Sequence, residues 1–407
     1  MSETYLSIFS GIGGLEHPDV APLLFCEQDD ACRLILRASH PNVRIESDVV
    51  ALDAPPRAGL VVGGWPCQDI SSAGTLAGIR GERSGLFFEM LRVARNAGAH
   101  TLVGENVPNL LTMNDGADFR LVLEALSADG YRFVAWRILN ARQFGLPQHR
   151  RRLFIVASRA RESAEALHAR LPPQPSRTSS TDVFAFYWTG GKRSICFSRG
   201  YTPALKIGAA DNNGRAPVAV LENDRVRKLN SREFLRLQGF ESLYDKHSDL
   251  SKSTLLRMAG NAVPRPVGHF VLDAICRPLP TDGVRTSFGA ITDSGLVDDG
   301  LVWAIAHPDH PLATNLSDFL DPDATGGLSS QAAAGLIVRS IRAATGIPLE
   351  LFDLLRSLAA NRDGRLRPSR SNSFEALDAM AGEVAAYRST LKPIAAFDAR
   401  IAEEPET

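Results

Sequence analysis

The residue of this 407-residue chain best suited to form a covalent bond is Cys67, in GlyGlyTrpProCysGlnAspIleSer (63–71), directly after the apolar run LeuValVal. A cysteine on a turn beyond a strand end, near a helix N-terminus, is accessible and can have a lowered pKa. Pro66 fixes φ and stiffens the approach to it. The alternative is a structural cysteine in a turn. Gly74, Gly78, Gly81 and Gly85 follow, a spacing that suits a mobile loop closing over a substrate.

A second chemical feature lies earlier. PheSerGlyIleGlyGly (9–14) follows the first apolar run. Glycines there let backbone approach a cofactor closely, and amides can face its polar groups. Alone, such a run is often only a turn. Glu27 ends the second apolar run and Asp48 follows the third. Carboxylates at strand C-ends can accept from ribose hydroxyls and an adenine amino group. The alternative is a chance pair of surface acids.

These residues need a scaffold. Residues 5–9, 23–26, 60–63, 101–104, 133–138 and 153–157 read as buried strands, and 29–38, 84–97 and 118–128 as helices. The alternation predicts a doubly wound α/β domain. The segment 158–200 breaks the pattern with LeuProProGlnProSer and an aromatic cluster, Phe184 to Trp188, which reads as a small core rather than a stacking platform. Helices are expected again at 231–237 and 264–276, then at 329–343, 349–359 and 373–389.

The chain resembles the DNA cytosine-5 methyltransferase family, bacterial or phage type, over about residues 5–277. Besides the glycine loop and ProCysGln, it has ArgSerGlyLeuPhePheGlu (83–89) and GluAsnVal (105–107). PheGlyLeuProGlnHisArgArgArgLeuPhe (144–154) contains the family's Gln-x-Arg-x-Arg at Gln148, Arg150 and Arg152. LysLeuAsnSerArgGluPheLeuArgLeuGlnGlyPhe (228–240) and MetAlaGlyAsnAlaValPro (258–264) complete the series in the family's order. The implied fold is a Rossmann-like S-adenosylmethionine-dependent domain at 1–157, completed by 228–280. A small target-recognition region would occupy 158–227, and an acidic, mainly helical extension 281–407.

The resemblance also implies roles. Cys67 would attack C6 of cytosine, Glu105 would meet N3, and Arg152 would hold O2 with Arg150 assisting. Phe9 would lie against adenine, with Ser10, Gly11, Ile12, Gly13 and Gly14 around the methionine end. Glu27 would take the ribose and Asp48 the adenine amino group, with Pro66, Leu86, Asn261 and Val263 completing the pocket. The implied partner is duplex DNA, met by a monomer, with a cognate restriction endonuclease that forms no stable complex. Gln68, Ser71, Lys192, Arg193 and Arg199 are candidate DNA contacts; ordinary solvated residues are the alternative for each. The stretch between Gly14 and Glu27 is short and holds Pro18 and Pro22, so the first helix should lose about one turn.

Net charge is −1, but residues 137–277 carry 24 Lys+Arg against 11 Asp+Glu, a basic middle fit for a polyanion. Plain Arg-rich solvated faces are the alternative. Five scattered cysteines without CxxC spacing suggest no metal site and a reduced compartment. No apolar run reaches the ~18–20 residues of a membrane span, and no signal peptide is evident, so a bacterial cytoplasm, beside the nucleoid, is expected. Two rivals remain. CysPheSerArgGlyTyr (196–201) superficially resembles a motif of the RNA-acting branch, although the stretch around Cys67 is more like bacterial DNA enzymes. A DNA-binding protein without activity is the other, and nothing among the carried-over residues favours it.

Overall fold

The structure is a computed structural model. It describes residues 4–17, 19–66, 85–169, 172–173, 183–187, 197–205, 218–222, 225–277, 284–288, 291–307, 312, 316–321, 323–324, 327–342, 347–360 and 373–393.

The N-terminal half alternates strand and helix. In chain order it runs β1 (Tyr5–Ile8), β2 (Leu24–Cys26), α1 (Asp30–Ser39), β3 (Arg44–Glu46), β4 (Leu60–Gly64), α2 (Leu86–Ala97), β5 (Thr101–Asn106) and α3 (Ala117–Ala128). Then come β6 (Phe133–Asn140), β7 (Gln148–His149), β8 (Arg151–Ser158) and the short α4 (Arg161–Glu165). A smaller unit contributes β9 (Phe184–Tyr187), β10 (Phe197–Arg199), β11 (Thr202–Pro203), β12 (Val218–Glu222) and β13 (Arg225–Lys228). Four helices return: α5 (Ser231–Leu237), α6 (Glu241–Lys246), α7 (Lys252–Asn261) and α8 (Arg265–Cys276). The chain continues with β14 (Val284–Phe288), β15 (Ser294–Asp298), β16 (Leu301–Ala306), α9 (Ser330–Arg342), α10 (Leu349–Ala360), α11 (Ser373–Ala379) and α12 (Ala381–Thr390).

Ten strands form the main sheet in the order β14-β16-β15-β6-β8-β5-β4-β1-β2-β3. β3, β2, β1, β4 and β5 are parallel, and β8 lies antiparallel between β5 and β6. Side chains alternate across a strand, which decides the two cores. Leu6, Ile8 and Val61 face α2 and α3. Tyr5, Leu60 and Val62 face α8. The strand order reverses between β1 and β4, which opens a crevice at their C-terminal ends.

Two elements differ from the sequence expectation. Among the described residues no helix joins β1 to β2, where one shortened by a turn was expected. Pro22 lacks an N–H, and the 15 residues between the two strands spend six on the glycine turns. Helix α8 backs the loop instead: a Cβ on Gly268 would lie 1.9 Å from the carbonyl oxygen of Gly14. The second difference is β14–β16, three strands that precede the expected C-terminal helices and extend the main sheet through β15 against β6.

The smaller unit is an antiparallel sheet, β10-β9-β12-β13. Both its faces are covered. Val183, Ala185 and Val220 pack with Leu229, Phe234, Leu255 and Leu256. Phe184, Phe186, Ala219 and Leu221 pack with Leu336, Ile337, Leu351 and Phe352 of α9 and α10. Helices α9 and α10 therefore cap this sheet, and the aromatic cluster is a core at Phe184 and Phe186.

Glu16 lies buried beneath the glycine loop. Its Oε1 accepts from Ser7 Oγ at 2.8 Å, while Oε2 has no hydrogen-bond partner among the described residues. Burial pushes this carboxyl up to about 7. A carboxyl raised by folding stabilises below its unfolded value near 4.5 and loses that contribution as pH rises through about 7. Between pH 5 and pH 8 the protein should therefore lose up to about 3 kcal/mol relative to Glu16→Gln, read from urea melts at several pH values. A constant difference between the two proteins would contradict this. At the sheet's extension, a Cβ on Gly295 would lie 2.1 Å from the Trp136 ring. Gly295→Ala should lower stability by about 1–3 kcal/mol at unchanged urea slope.

Candidate active site

At the crevice between β1 and β4 lies a pocket that opens to solvent. Ser7, Ile8, Phe9, Ser10, Gly11, Gly14 and Leu15 form its floor. Gly63, Gly64 and Glu105 form one wall; Asn261, Ala262 and Val263 form the other.

The floor is a strained turn. Phe9 has φ +53, uncommon for a residue with a side chain, and Gly11 has φ +56. A Cβ on Gly11 would meet nothing within 4 Å, so the backbone there faces open space. Gly14 is the opposite case. A Cβ there would lie 2.3 Å from the Val263 carbonyl oxygen, so only glycine lets the two walls meet this closely. Glu27 grips the floor from β2: its Oε2 accepts from Gly11 N at 2.7 Å and its Oε1 from Asp29 N at 2.8 Å. Burial pushes the Glu27 carboxyl upward, against the pull of these two donors.

Glu105 ends β5 beside Gly64, its register partner on β4. A Cβ on Gly64 would lie 2.7 Å from Glu105 Oε2, so the glycine makes room for the carboxylate. Arg152 Nε stands 3.2 Å from Glu105 Oε1, with both side chains largely buried. Burial raises the Glu105 pKa, against the lowering effect of Arg152 and Arg150. Asn106 donates to the Trp65 carbonyl at 3.3 Å and so ties GluAsnVal to the segment leading to Pro66.

The expected residues divide accordingly. Phe9, Ser10, Gly11, Gly14, Asn261 and Val263 line the pocket, and Glu105 joins them. Glu27 stands behind Gly11. Gly13 turns at φ +89, backing onto the Glu16 carboxylate. Asp48 is exposed, and its Oδ1 accepts from Val50 N at 2.9 Å. Pro66 is half-buried beyond β4, and Leu86 is half-buried against the main core. Arg199 has its guanidinium carbon 5.6 Å from the centre of the Phe184 ring. Cys67, Gln68, Ser71, Lys192 and Arg193 lie outside the described residues.

Two expected residues are absent from the described lining of the pocket. The Ile12 side chain packs with Cys32 and Ile35 in the core. Arg150 was expected to assist at the substrate. It is 2% exposed, and its guanidinium donates to the carbonyls of Leu205, Gly260 and Ala262 at 2.9, 3.0 and 2.9 Å. It is a positioning residue for the wall at 260–262. Sequence reasoning also missed Ser7, Ile8, Leu15, Gly63, Gly64 and Ala262 in the lining; the Gly63–Gly64 doublet at a strand end was the available signal.

Comparison with known proteins bears on the same residues. The family model for C-5 cytosine-specific DNA methylase matches residues 4–185 and 187–277. The chain is 32% identical over 293 residues to the Type II methyltransferase M2.BsuMI of Bacillus subtilis (strain 168), covering 67% of this chain and 75% of that protein. It is 27% identical to the Type II methyltransferase M.Bsp6I of Bacillus sp. (strain RFL6), over 67% of this chain and 98% of that protein. Among solved structures, the methyltransferase EhMeth of Entamoeba histolytica superposes with a TM-score of 0.50 at 13% identity, over 68% of this chain and 98% of that one, a likeness of fold. The matched residues include β1 to β6 and β8 of the main sheet, the glycine loop and both walls of the pocket, and the chain belongs to the C-5 cytosine-specific DNA methylase family.

Proposed function

We propose that this protein methylates C5 of cytosine in a specific duplex DNA sequence, with S-adenosylmethionine as donor and Cys67 as covalent nucleophile. It would serve a Type II restriction-modification system or act as an orphan or phage methylase. The observation that carries the reading is a shared wall. Glu105, paired with Arg152, lines the same pocket as the glycine loop and Asn261–Val263.

The pocket suits the cofactor. Glu27 behind Gly11 offers a carboxylate to ribose hydroxyls, and the half-buried Phe9 offers a ring to adenine. The open backbone at Gly11 and the Ser10 hydroxyl suit the polar methionine end. Asp48, farther out and exposed, would reach the adenine amino group. When bound, S-adenosylmethionine supplies an electrophilic methyl group.

Cytosine C5 is a poor nucleophile. Attack of the Cys67 thiolate on C6 forms a C–S bond and shifts electrons toward N3 and O2, which makes C5 enamine-like. Burial keeps the Glu105 carboxyl inclined to hold a proton; it would give that proton to N3, or a hydrogen bond, as charge develops. Arg152, set beside Glu105, would hold O2. After C5 is methylated, loss of its proton expels Cys67 and restores the ring. A stacked base cannot reach this wall, so the cytosine must be flipped out, at a few kcal/mol of unstacking. We place DNA recognition in the smaller unit, with Arg199, Lys192 and Arg193, and with Gln68 and Ser71 from the segment after Cys67. The enzyme acts as a monomer on DNA, and a cognate endonuclease, where one accompanies it, works without a stable complex.

Duplex DNA containing 5-fluorocytosine tests the chemistry, because fluorine at C5 blocks the last elimination. The protein with S-adenosylmethionine should give a covalent adduct on a denaturing gel, and Cys67→Ala should give none. An adduct with fluorinated tRNA and none with DNA would replace the DNA reading with an RNA one. No adduct with either, despite cofactor binding, would leave a DNA-binding protein. Glu105→Gln should lower kcat at saturating cofactor by roughly 10²–10⁴-fold.

A further inference from the structure

Glu27 does not hold its place alone. Its Oε1 takes the N–H of Asp29, and Asp29 is itself fixed at both oxygens. Oδ1 accepts from Cys32 N at 3.0 Å and so caps α1. Oδ2 pairs with Arg257 Nη1, a residue 228 positions further along the chain. Arg257 lies on α7, one turn before Asn261. Residues four apart share a helix face, so the arm that grips Asp29 and the residue that lines the pocket project from the same side of α7.

The pair is partly exposed, 34% for the Arg257 side chain and 26% for Asp29. Ion pairs this accessible are worth about 0–1 kcal/mol to a fold, so stability alone does not account for where it sits. Its place does. Through Asp29, Arg257 links the carboxylate that grips Gly11 to the helix that ends at Asn261. We infer that Arg257 is a positioning residue for the cofactor: through Asp29 it orients Glu27 and holds Asn261 at the matching distance. This rests on the reading that Glu27 takes the ribose.

Asparagine caps a helix about as well as aspartate, so Asp29→Asn keeps the α1 cap and removes the charge. Calorimetric binding of S-adenosylhomocysteine to the full chain would be compared for the parent protein, Glu27→Ala, Arg257→Met, Asp29→Asn and the last two combined, with Tm measured for each. Arg257→Met and Asp29→Asn should each weaken binding about tenfold, with little more loss in the double variant, since they break one link. Tm should stay within about 2 °C. KM for S-adenosylmethionine should rise while kcat at saturation holds, and Arg257→Lys should recover part of the affinity. If Glu27→Ala abolishes binding but the Arg257 and Asp29 variants bind like the parent, the inference fails and the Glu27 reading stands. If Glu27→Ala binds like the parent, that reading fails and takes the inference with it. Losses that are additive, or that track a fall in Tm of more than about 5 °C, would mark the pair as merely structural and overturn the inference.

Discussion

A buried guanidinium must find acceptors inside the protein, and Arg150 donates to the backbone carbonyls of Leu205, Gly260 and Ala262. They belong to two segments far apart in sequence: Leu205, just after β11, and Gly260 to Ala262, where α7 ends. Gln148, two residues earlier and equally enclosed, accepts from Leu205 N and donates to the Leu237 carbonyl. Breaking one partner of a buried charged cluster costs several kcal/mol, because the remaining groups lose water and gain nothing. The return of the chain to the main sheet, and so the wall at Asn261–Val263, is anchored to this one strand corner.

The second constraint is steric. The floor and walls meet through backbone contacts that leave no room for a side chain: Gly14 against Val263, Gly268 against Gly14, Gly64 against the Glu105 carboxylate. The glycines of this site therefore act in two ways. Some bend the chain at positive φ, and others let strands, helix and carboxylate approach. The first kind is suggested by any glycine-rich turn, whereas the second depends on partners brought together only by folding, as Val263 and Gly268 are with Gly14.

This explains what could be read from the sequence. The apolar runs at 5–9, 60–63 and 101–104 and the helix at 231–237 carry their own periodicity, and they appear as β1, β4, β5 and α5. Glu105 and the glycine loop were legible through their motifs. β14–β16 were not: SerGlyLeuValAsp at β15 has few apolar residues, and its strand state comes from pairing with β6 rather than from intrinsic preference. The motif around Arg150 announced an important arginine but not its direction, since hydrogen-bond partners at 205, 260 and 262 exist only once the chain has folded back. The missing helix after Gly14 was half visible in Pro18 and Pro22. That α8 would back the loop was not visible at all.

The smaller sheet is enclosed, with the main body on one face and α9 and α10 on the other. Phe184, Ala185, Phe186, Ala219, Val220, Leu221 and Val226 along its strands are committed to a core on one side or the other, and substitution there is felt in packing. What is left to vary, among the described residues, is the exposed part of the unit, as at Arg225 and Lys228 of β13. Helices α9 and α10 thus turn a thin sheet into a platform whose surface can diversify while its interior stays constant. A lineage carrying this architecture can change what its loops meet without relearning how to fold.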